Sequence, residues 1–441
     1  MRKLILPSEI NGGVVAPASK SLTIRALAVA LLADGETELV NTSLSNDALA
    51  ALHLVRSLGG KIEEVEEIPP PKIYPQSRER DSRRKIKING GFPEKNPVPQ
   101  KGFSLSCGES ALTMRLFAAV VALQPHQVQL RAEGTLRRRP MDMVERALAQ
   151  VGVECRMRRG FPPLEIRGPM KPGRVILEAT RTSQVLSGLL LALPLLDGDS
   201  EIKARGLKSR PYVEVTTDLI QKFGINCSGQ KVGNDDCFFI PGKQRYRGTK
   251  IAIEGDWSAA AFFLVAGALA GRVEIKGLNP DSKQADRRIL EALKAAGAKF
   301  LWFDGNLVVE KSKLRGFDFD AADCPDLFPP LCVLALGAEG HSRIWGAGRL
   351  IIKESNRAAA LISELTALGG KIAQEGEAIV VEGGKPCGGE CRSWGDHRVA
   401  MAAAVVGLIS EEGVKVDGSE AVAKSFPDFF EKLAACGGKV Q

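Results

Sequence analysis

One short phrase recurs six times along this chain of 441 residues, each time at the end of a helical pattern: LGGKI at 58–62, VGVEC at 151–155, FGINC at 223–227, AGAKF at 296–300, LGGKI at 368–372 and CGGKV at 436–440. The first glycines, Gly59, Gly152, Gly224, Gly297, Gly369 and Gly437, stand 93, 72, 73, 72 and 68 residues apart. A period near 72 marks one supersecondary unit used six times, which constrains the fold more than any local propensity does. Each unit reads alike. An apolar first helix is predicted at 21–33, 111–123, 183–195, 258–270, 328–336 and 397–409. A short alternating strand follows, as at 37–40, 128–131 and 273–276. A second, amphipathic helix then runs into the glycine, which serves as its C-cap: 48–58, 141–151, 213–223, 283–296, 356–368 and 425–436. A final strand follows the glycine. The first helices are apolar nearly all round, so they are expected to be buried. The predicted unit is an α/β module that packs its strands outward over a helical core.

The one long interval holds an insertion, residues 63–101, with Pro69–Pro71 and the charge run SRERDSRRK at 77–85. That run mixes signs and has no interleaved aromatics beyond Tyr74, so a solvated loop or extended hairpin is expected rather than an RNA-binding arm. Lys and Arg number 60 against 52 Asp and Glu, a net charge of +8 that suits an anionic partner without naming one. Nine scattered cysteines with no CxxC pair give no metal framework, and a reducing cytoplasm is the expected home. The N-terminal stretch is not a secretory or transit signal, and no apolar run reaches the roughly 18 residues a membrane span needs.

Small polar or charged residues open each first helix: Ser19-Lys20-Ser21 with Arg25, Glu109-Ser110 with Arg115, Thr182-Ser183-Gln184, Asp256 with Ser258, Asp326, and Asp396-His397-Arg398. Capping explains the Ser, Thr and Asp residues. It does not explain Lys20, Arg25, Arg115 or Arg398, which oppose the helix dipole at its positive end. Such cations beside helix N-termini make a site for phosphate or carboxylate. Loops ahead of the second helices add Arg139, Ser209-Arg210-Pro211-Tyr212, Lys353-Glu354-Ser355-Asn356-Arg357 and Lys424-Ser425-Phe426. If the units are pseudo-symmetric, the set pairs many cations with few carboxylates, chiefly Asp326 and Glu354. That combination points to acid–base chemistry on an anionic small molecule.

With PASKSLTIRAL (17–27), CGESALTMR (107–115), RRP (138–140), TSQ (182–184), KSRPY (208–212), EGDWSAA (254–260), CPD (324–326), KESNR (353–357), GDHRVAM (395–401) and AKSFPDFF (423–430), the chain resembles the EPSP synthase family of enolpyruvyl transferases. The resemblance implies an α/β fold of two halves with three repeated units each, the chain crossing between them twice. It joins residues 1–18 to 253–441 as one domain and leaves 19–252 as the other. The implied reaction transfers the enolpyruvyl group of phosphoenolpyruvate to the 5-hydroxyl of shikimate 3-phosphate, by addition and then elimination of phosphate. It needs no cofactor and no metal. The implied catalytic residues are Asp326 for the hydroxyl proton, Glu354 for the methylene and methyl proton, and Lys20 between both substrates. Phosphoenolpyruvate falls to Lys20, Ala111, Arg139, Gln184, Arg357, Arg398 and Lys424. Shikimate 3-phosphate falls to Lys20, Ser21, Arg25, Thr182, Ser183, Gln184, Ser209, Tyr212, Asp326 and Lys353, with Arg115 and His397 in support. Closure of the halves would expel water and strengthen these contacts. A cytoplasmic monomer with no nucleic-acid or membrane partner is the expectation.

The chain departs from the family's usual Gly-Asn-Ala-Gly-Thr run at Gly108-Glu109-Ser110-Ala111-Leu112. Ala111 stands where a glycine lines the phosphoenolpyruvate pocket, so tolerance of the longer inhibitor glyphosate is expected. Glu109 brings a carboxylate near an anion pocket, which the sequence explains only if it pairs with an arginine. Arg349 and Asn356 replace the usual Asn and Asp. The nearest alternative is UDP-N-acetylglucosamine enolpyruvyl transferase, which normally has a cysteine where this chain has Gly134. A non-catalytic anion-binding protein is the other, disfavoured by the presence of both Asp326 and Glu354.

Overall fold

The computed structural model describes residues 1–68, 83–94 and 103–441. Each repeat carries two helices: α1 (Lys20–Leu32) and α2 (Asn46–Ser57), α3 (Ala111–Val121) and α4 (Asp142–Ala149), α5 (Gln184–Ala192) and α6 (Arg210–Lys222), α7 (Trp257–Ala270) and α8 (Ile289–Ala296), α9 (Phe328–Leu336) and α10 (Arg357–Ala367), α11 (His397–Ile409) and α12 (Phe429–Ala435). All six repeat glycines lie in the left-handed region, with φ between +75° and +99°. Only glycine adopts this without strain, which is why it closes each second helix. The first helices sit inside, and every residue of α3, α7 and α9 is buried.

Two second helices start later than their patterns predict. Residues 283–296 begin with a 3₁₀ turn, Ala285–Arg288, before α8. Residues 425–436 become helical only at Phe429, since Pro427 follows a separate 3₁₀ segment, Ser419–Lys424.

Each repeat contributes to a four-stranded sheet, six in all among the described residues, rather than the two strands per unit read from the sequence. In the second repeat, Phe103–Ser106 runs parallel to Gln127–Arg131, and Phe161–Arg167 then Glu154–Arg158 follow antiparallel. The third and fifth repeats use the same order. Three sheets borrow a strand from elsewhere in the chain. Lys250–Ala252 supplies the leading parallel strand of the first sheet and Ile10–Val15 that of the fourth. Arg2–Leu6 inserts between Val414–Asp417 and Lys439–Val440 in the sixth.

These exchanges divide the chain into two compact units: a split unit, Met1–Pro17 with Glu254–Gln441, and a continuous unit, Ala18–Ile253. At the insertion, Lys61–Ile68 pairs antiparallel with Arg83–Asn89, with a register shift between Val65 and Ile68. The rest of the charge run, 77–82, lies outside the described residues.

Side chains join neighbouring repeats. Gln150, at the end of α4, donates from Nε2 to the Ile176 carbonyl (3.0 Å) and accepts from the Ile176 N–H (2.8 Å). It thereby pairs the backbone of one residue on the outer strand Arg174–Glu178. In the split unit, Phe263 of α7 packs on Phe426 and Phe429, with centroids 5.7 and 5.3 Å apart. Truncating such a buried ring costs about 3–5 kcal/mol.

Candidate active site

In the split unit the site grows from the starts of three helices. Asp326 lies on a 3₁₀ turn, Pro325–Leu327, whose proline suits a first helical position, and α9 follows it directly. Asn356 caps α10 by accepting from the Ala359 N–H (3.3 Å), which leaves Arg357 as the first helical residue. Asp396 caps α11 by accepting from the Arg398 N–H (3.0 Å).

Arg357 is fully buried and binds three carboxylates. Its Nη1 reaches Asp326 Oδ1 (2.7 Å), its Nη2 Glu354 Oε2 (2.5 Å), and its Nε Asp396 Oδ2 (2.8 Å). Lys353 Nζ is 3.1 Å from Asp326 Oδ1, and Arg398 Nη2 is 3.2 Å from Asp326 Oδ2. Lys424 Nζ donates to the Gly395 carbonyl (2.7 Å), beside the Asp396 cap. His397 is buried next to it.

The electrostatics follow from this crowding. Burial would raise the Asp326 carboxyl, but Arg398, Lys353 and Arg357 outweigh it and hold the group well below the usual carboxylate range. Burial pushes the Lys353 ammonium down to about 8, against the opposing pull of Asp326. Burial also opposes the charge of Arg357, but Asp396, Glu354 and Asp326 hold its proton more firmly than usual.

The continuous unit assembles a second set. Arg25, buried in the second turn of α1, donates from Nε to Thr216 Oγ1 (2.9 Å), from Nη1 to the Ser21 carbonyl (3.0 Å) and from Nη2 to the Tyr212 carbonyl (3.4 Å). Burial pulls its guanidinium down to about 10. Ser209, just ahead of α6, has the left-handed φ of +58°, uncommon for a residue with a side chain. Arg115 of α3 donates to Gln184 Oε1 (2.8 Å) at the start of α5 and to the Pro140 carbonyl (3.3 Å) beside the buried Arg139. Lys20 pairs with Asp47 (3.0 Å). Neither Ser19 nor Ser183 makes a side-chain cap, although both stand at N-cap positions.

Set on this scaffold, a model of the family described as EPSP synthase (3-phosphoshikimate 1-carboxyvinyltransferase) matches residues 6–433. The chain belongs to the EPSP synthase family. Relatives named 3-phosphoshikimate 1-carboxyvinyltransferase occur in Clostridium novyi (strain NT), 34% identical over 98% of this chain and 97% of the relative, and in Aeropyrum pernix, 36% identical over 100% and 96%. The solved EPSP synthase of Acinetobacter baumannii superposes with a TM-score of 0.79 at 26% identity, covering 100% of this chain and 99% of that one. EPSP synthases are enzymes, as the relatives' name states.

Departures from the usual EPSP synthase pattern now have local explanations. Asn356 is a helix cap, and Arg349 donates to the Ala322 carbonyl (2.9 Å). Glu109 is engaged by the neighbouring turn. Its Oε2 accepts from the Thr135 N–H (2.7 Å) and the Thr135 hydroxyl (2.8 Å). A Cβ on Gly134 would come within 2.3 Å of that carboxylate, so a cysteine there conflicts with Glu109 as it stands.

The expectation of few carboxylates is corrected. Asp396 binds Arg357, Asp47 binds Lys20, and Asp286 is fully buried and bonded to the Ser258 hydroxyl. Burial, then Asp326, pushes the Asp286 carboxyl up to about 6. Sequence reasoning assigned no role to Asp47 or Asp286. The repeat register could have found both, since each stands near the start of a second helix, where other repeats place Arg139, Ser209 and Lys353.

Among the described residues no helix is long and apolar enough to cross a membrane.

Proposed function

We propose that this chain transfers the enolpyruvyl group of phosphoenolpyruvate to the 5-hydroxyl of shikimate 3-phosphate, using the side chains described above, as a monomer in the cytoplasm. In the addition step Asp326 takes the hydroxyl proton while that oxygen bonds to C2 of phosphoenolpyruvate. Glu354 delivers a proton to the methylene carbon, which becomes a methyl group. In the elimination step the C2–phosphate bond breaks, Lys20 neutralises the departing phosphate, and Glu354 withdraws a methyl proton to restore the double bond. Phosphoenolpyruvate draws on Ala111, Arg139, Gln184, Arg357, Arg398 and Lys424 besides Lys20. Shikimate 3-phosphate draws on Lys20, Ser21, Arg25, Thr182, Ser183, Gln184, Ser209, Tyr212, Asp326 and Lys353.

The observation that supports this most is that one guanidinium, Arg357, holds both Asp326 and Glu354. A single planar fork keeps a base for an O–H proton and an acid for a carbon at fixed separation. Asp326 as it stands is too acidic to be a strong base. Substrate phosphate and carboxylate compete for Lys353, Arg357 and Arg398, and as they take those cations the Asp326 carboxyl rises toward a useful basicity.

Phosphate release from phosphoenolpyruvate tests the reading, with shikimate 3-phosphate and then UDP-N-acetylglucosamine as acceptor. Release with the first alone is expected. Release with the second alone would overturn it.

A further inference from the structure

Glu109 and the turn it grips are joined by more than one contact. The parallel strands Phe103–Ser106 and Gln127–Arg131 end side by side, and their exit loops are stitched together. The Cys107 N–H donates to the Arg131 carbonyl (2.9 Å), and the Glu133 N–H to the Gly108 carbonyl (2.8 Å). The second loop becomes a 3₁₀ turn, Gly134–Arg138, and its N-cap residue, Glu133, makes no side-chain cap. Glu133 instead accepts from the Ser106 hydroxyl (2.5 Å). The missing acceptor comes from the other loop: the Glu109 carboxylate takes both the Thr135 N–H and its hydroxyl. Gly134, at φ +45°, leaves the space that the carboxylate occupies. Arg139 ends the turn, its N–H donating to the Leu136 carbonyl (3.0 Å), and Arg115 holds the next residue through the Pro140 carbonyl.

We infer that Glu109 is a positioning residue for Arg139: it caps the Gly134–Arg138 turn from outside and thereby fixes the guanidinium that the proposed reaction assigns to phosphoenolpyruvate. The inference rests on that reading. A carboxylate is suited to the task because a charged acceptor forms shorter and stronger bonds than a neutral one. It is tolerated near an anion site because two donors already engage it.

The test is steady-state kinetics on the full chain with both substrates varied. Glu109→Ala should raise KM for phosphoenolpyruvate roughly tenfold to a hundredfold, the scale of a misplaced binding group. KM for shikimate 3-phosphate should stay within about twofold, a shift too small to mark lost positioning. Glu109→Gln keeps an acceptor oxygen and should restore most of the loss. Thr135→Val, which removes one donor and keeps Glu109, should move the same constant in the same direction by less. The double variant Glu109→Ala with Thr135→Val should be no worse than Glu109→Ala, because both remove one interaction. An unchanged phosphoenolpyruvate KM, a parallel rise in both KM values, or multiplying effects in the double variant overturns the inference. Should Glu109→Ala fail to fold, Thr135→Val and Glu109→Gln carry the same test. Wild-type turnover separates the two levels: none with shikimate 3-phosphate defeats the functional reading, whereas turnover with an unmoved KM in the variants defeats only this assignment.

Discussion

Arg25 in the continuous unit and Arg357 in the split unit are both almost completely buried, yet their surroundings are opposite. Arg25 is held by a hydroxyl and two carbonyls, all neutral, and burial lowers its proton affinity. Arg357 is held by three carboxylates and its proton affinity rises. A guanidinium in a neutral cradle has no charge-compensating partner among the bonds that hold it. One surrounded by carboxylates is already compensated, so it fixes those carboxylates and a further anion must compete with them for it.

The largest effect that could break this contrast lies with the carboxylates themselves. Asp326→Asn and Glu354→Gln should each lower kcat by about 10²–10⁴-fold, the usual worth of a placed proton-transfer group. Both variants should still bind both substrates in calorimetry. Near-full turnover in both variants would remove the acid–base role from the split unit.

Next comes stability in urea. Arg357→Met removes a fully buried guanidinium from three carboxylates, of which Asp396 is itself fully buried, and should cost about 3–5 kcal/mol. Arg25→Met leaves only neutral acceptors behind and should cost about 1–2 kcal/mol, while KM for shikimate 3-phosphate rises at least tenfold. Equal destabilisation would erase the distinction drawn here.

A pH profile sharpens it further. Lys353 titrates at about 8 in the folded chain, below the ordinary lysine value, so it is charged below pH 8 and loses its proton as pH rises through that point. The kcat/KM for shikimate 3-phosphate should therefore fall on the alkaline side with a midpoint near 8. Lys353→Arg should move that limb upward, and a limb unmoved by the substitution would exclude Lys353 as its origin.

The smallest effect concerns one methyl group. Ala111→Gly should lower the inhibition constant for glyphosate by about tenfold, the lower end of what one methylene discriminates in a tight pocket. Turnover should change less, and an unchanged constant would show that Ala111 does not set tolerance.

Much of the fold was legible because the repeat phrase carries a backbone requirement. Gly59 and its five counterparts must leave a helix through a left-handed conformation, so their spacing counts the units without any alignment. The first helices were equally clear, and α9 and α11 match their predicted bounds, because an all-apolar helix has one place to go. The sheets were not legible in the same way. Lys250–Ala252 pairs with residues more than two hundred positions earlier, and no local pattern encodes such a partner. At the site, residues that stand out against capping, such as Arg25 and Arg398, were visible. Asp286 and Asp47 were passed over because an aspartate near a helix start has an ordinary explanation. Glu109 was visible as an oddity but not as a cap, since its partner turn lies 26 residues on in sequence.

The insertion of Arg2–Leu6 into the sixth sheet has a consequence for the order of synthesis. Its neighbours, Val414–Asp417 and Lys439–Val440, are made about four hundred residues later. At roughly 5–20 residues per second, Arg2–Leu6 waits on the order of 20–80 s for the strands it must join. The continuous unit has its final strand once Lys250–Ala252 emerges, so it closes while the split unit still lacks most of its chain. The split unit can therefore be completed only after every strand of the continuous unit has been made.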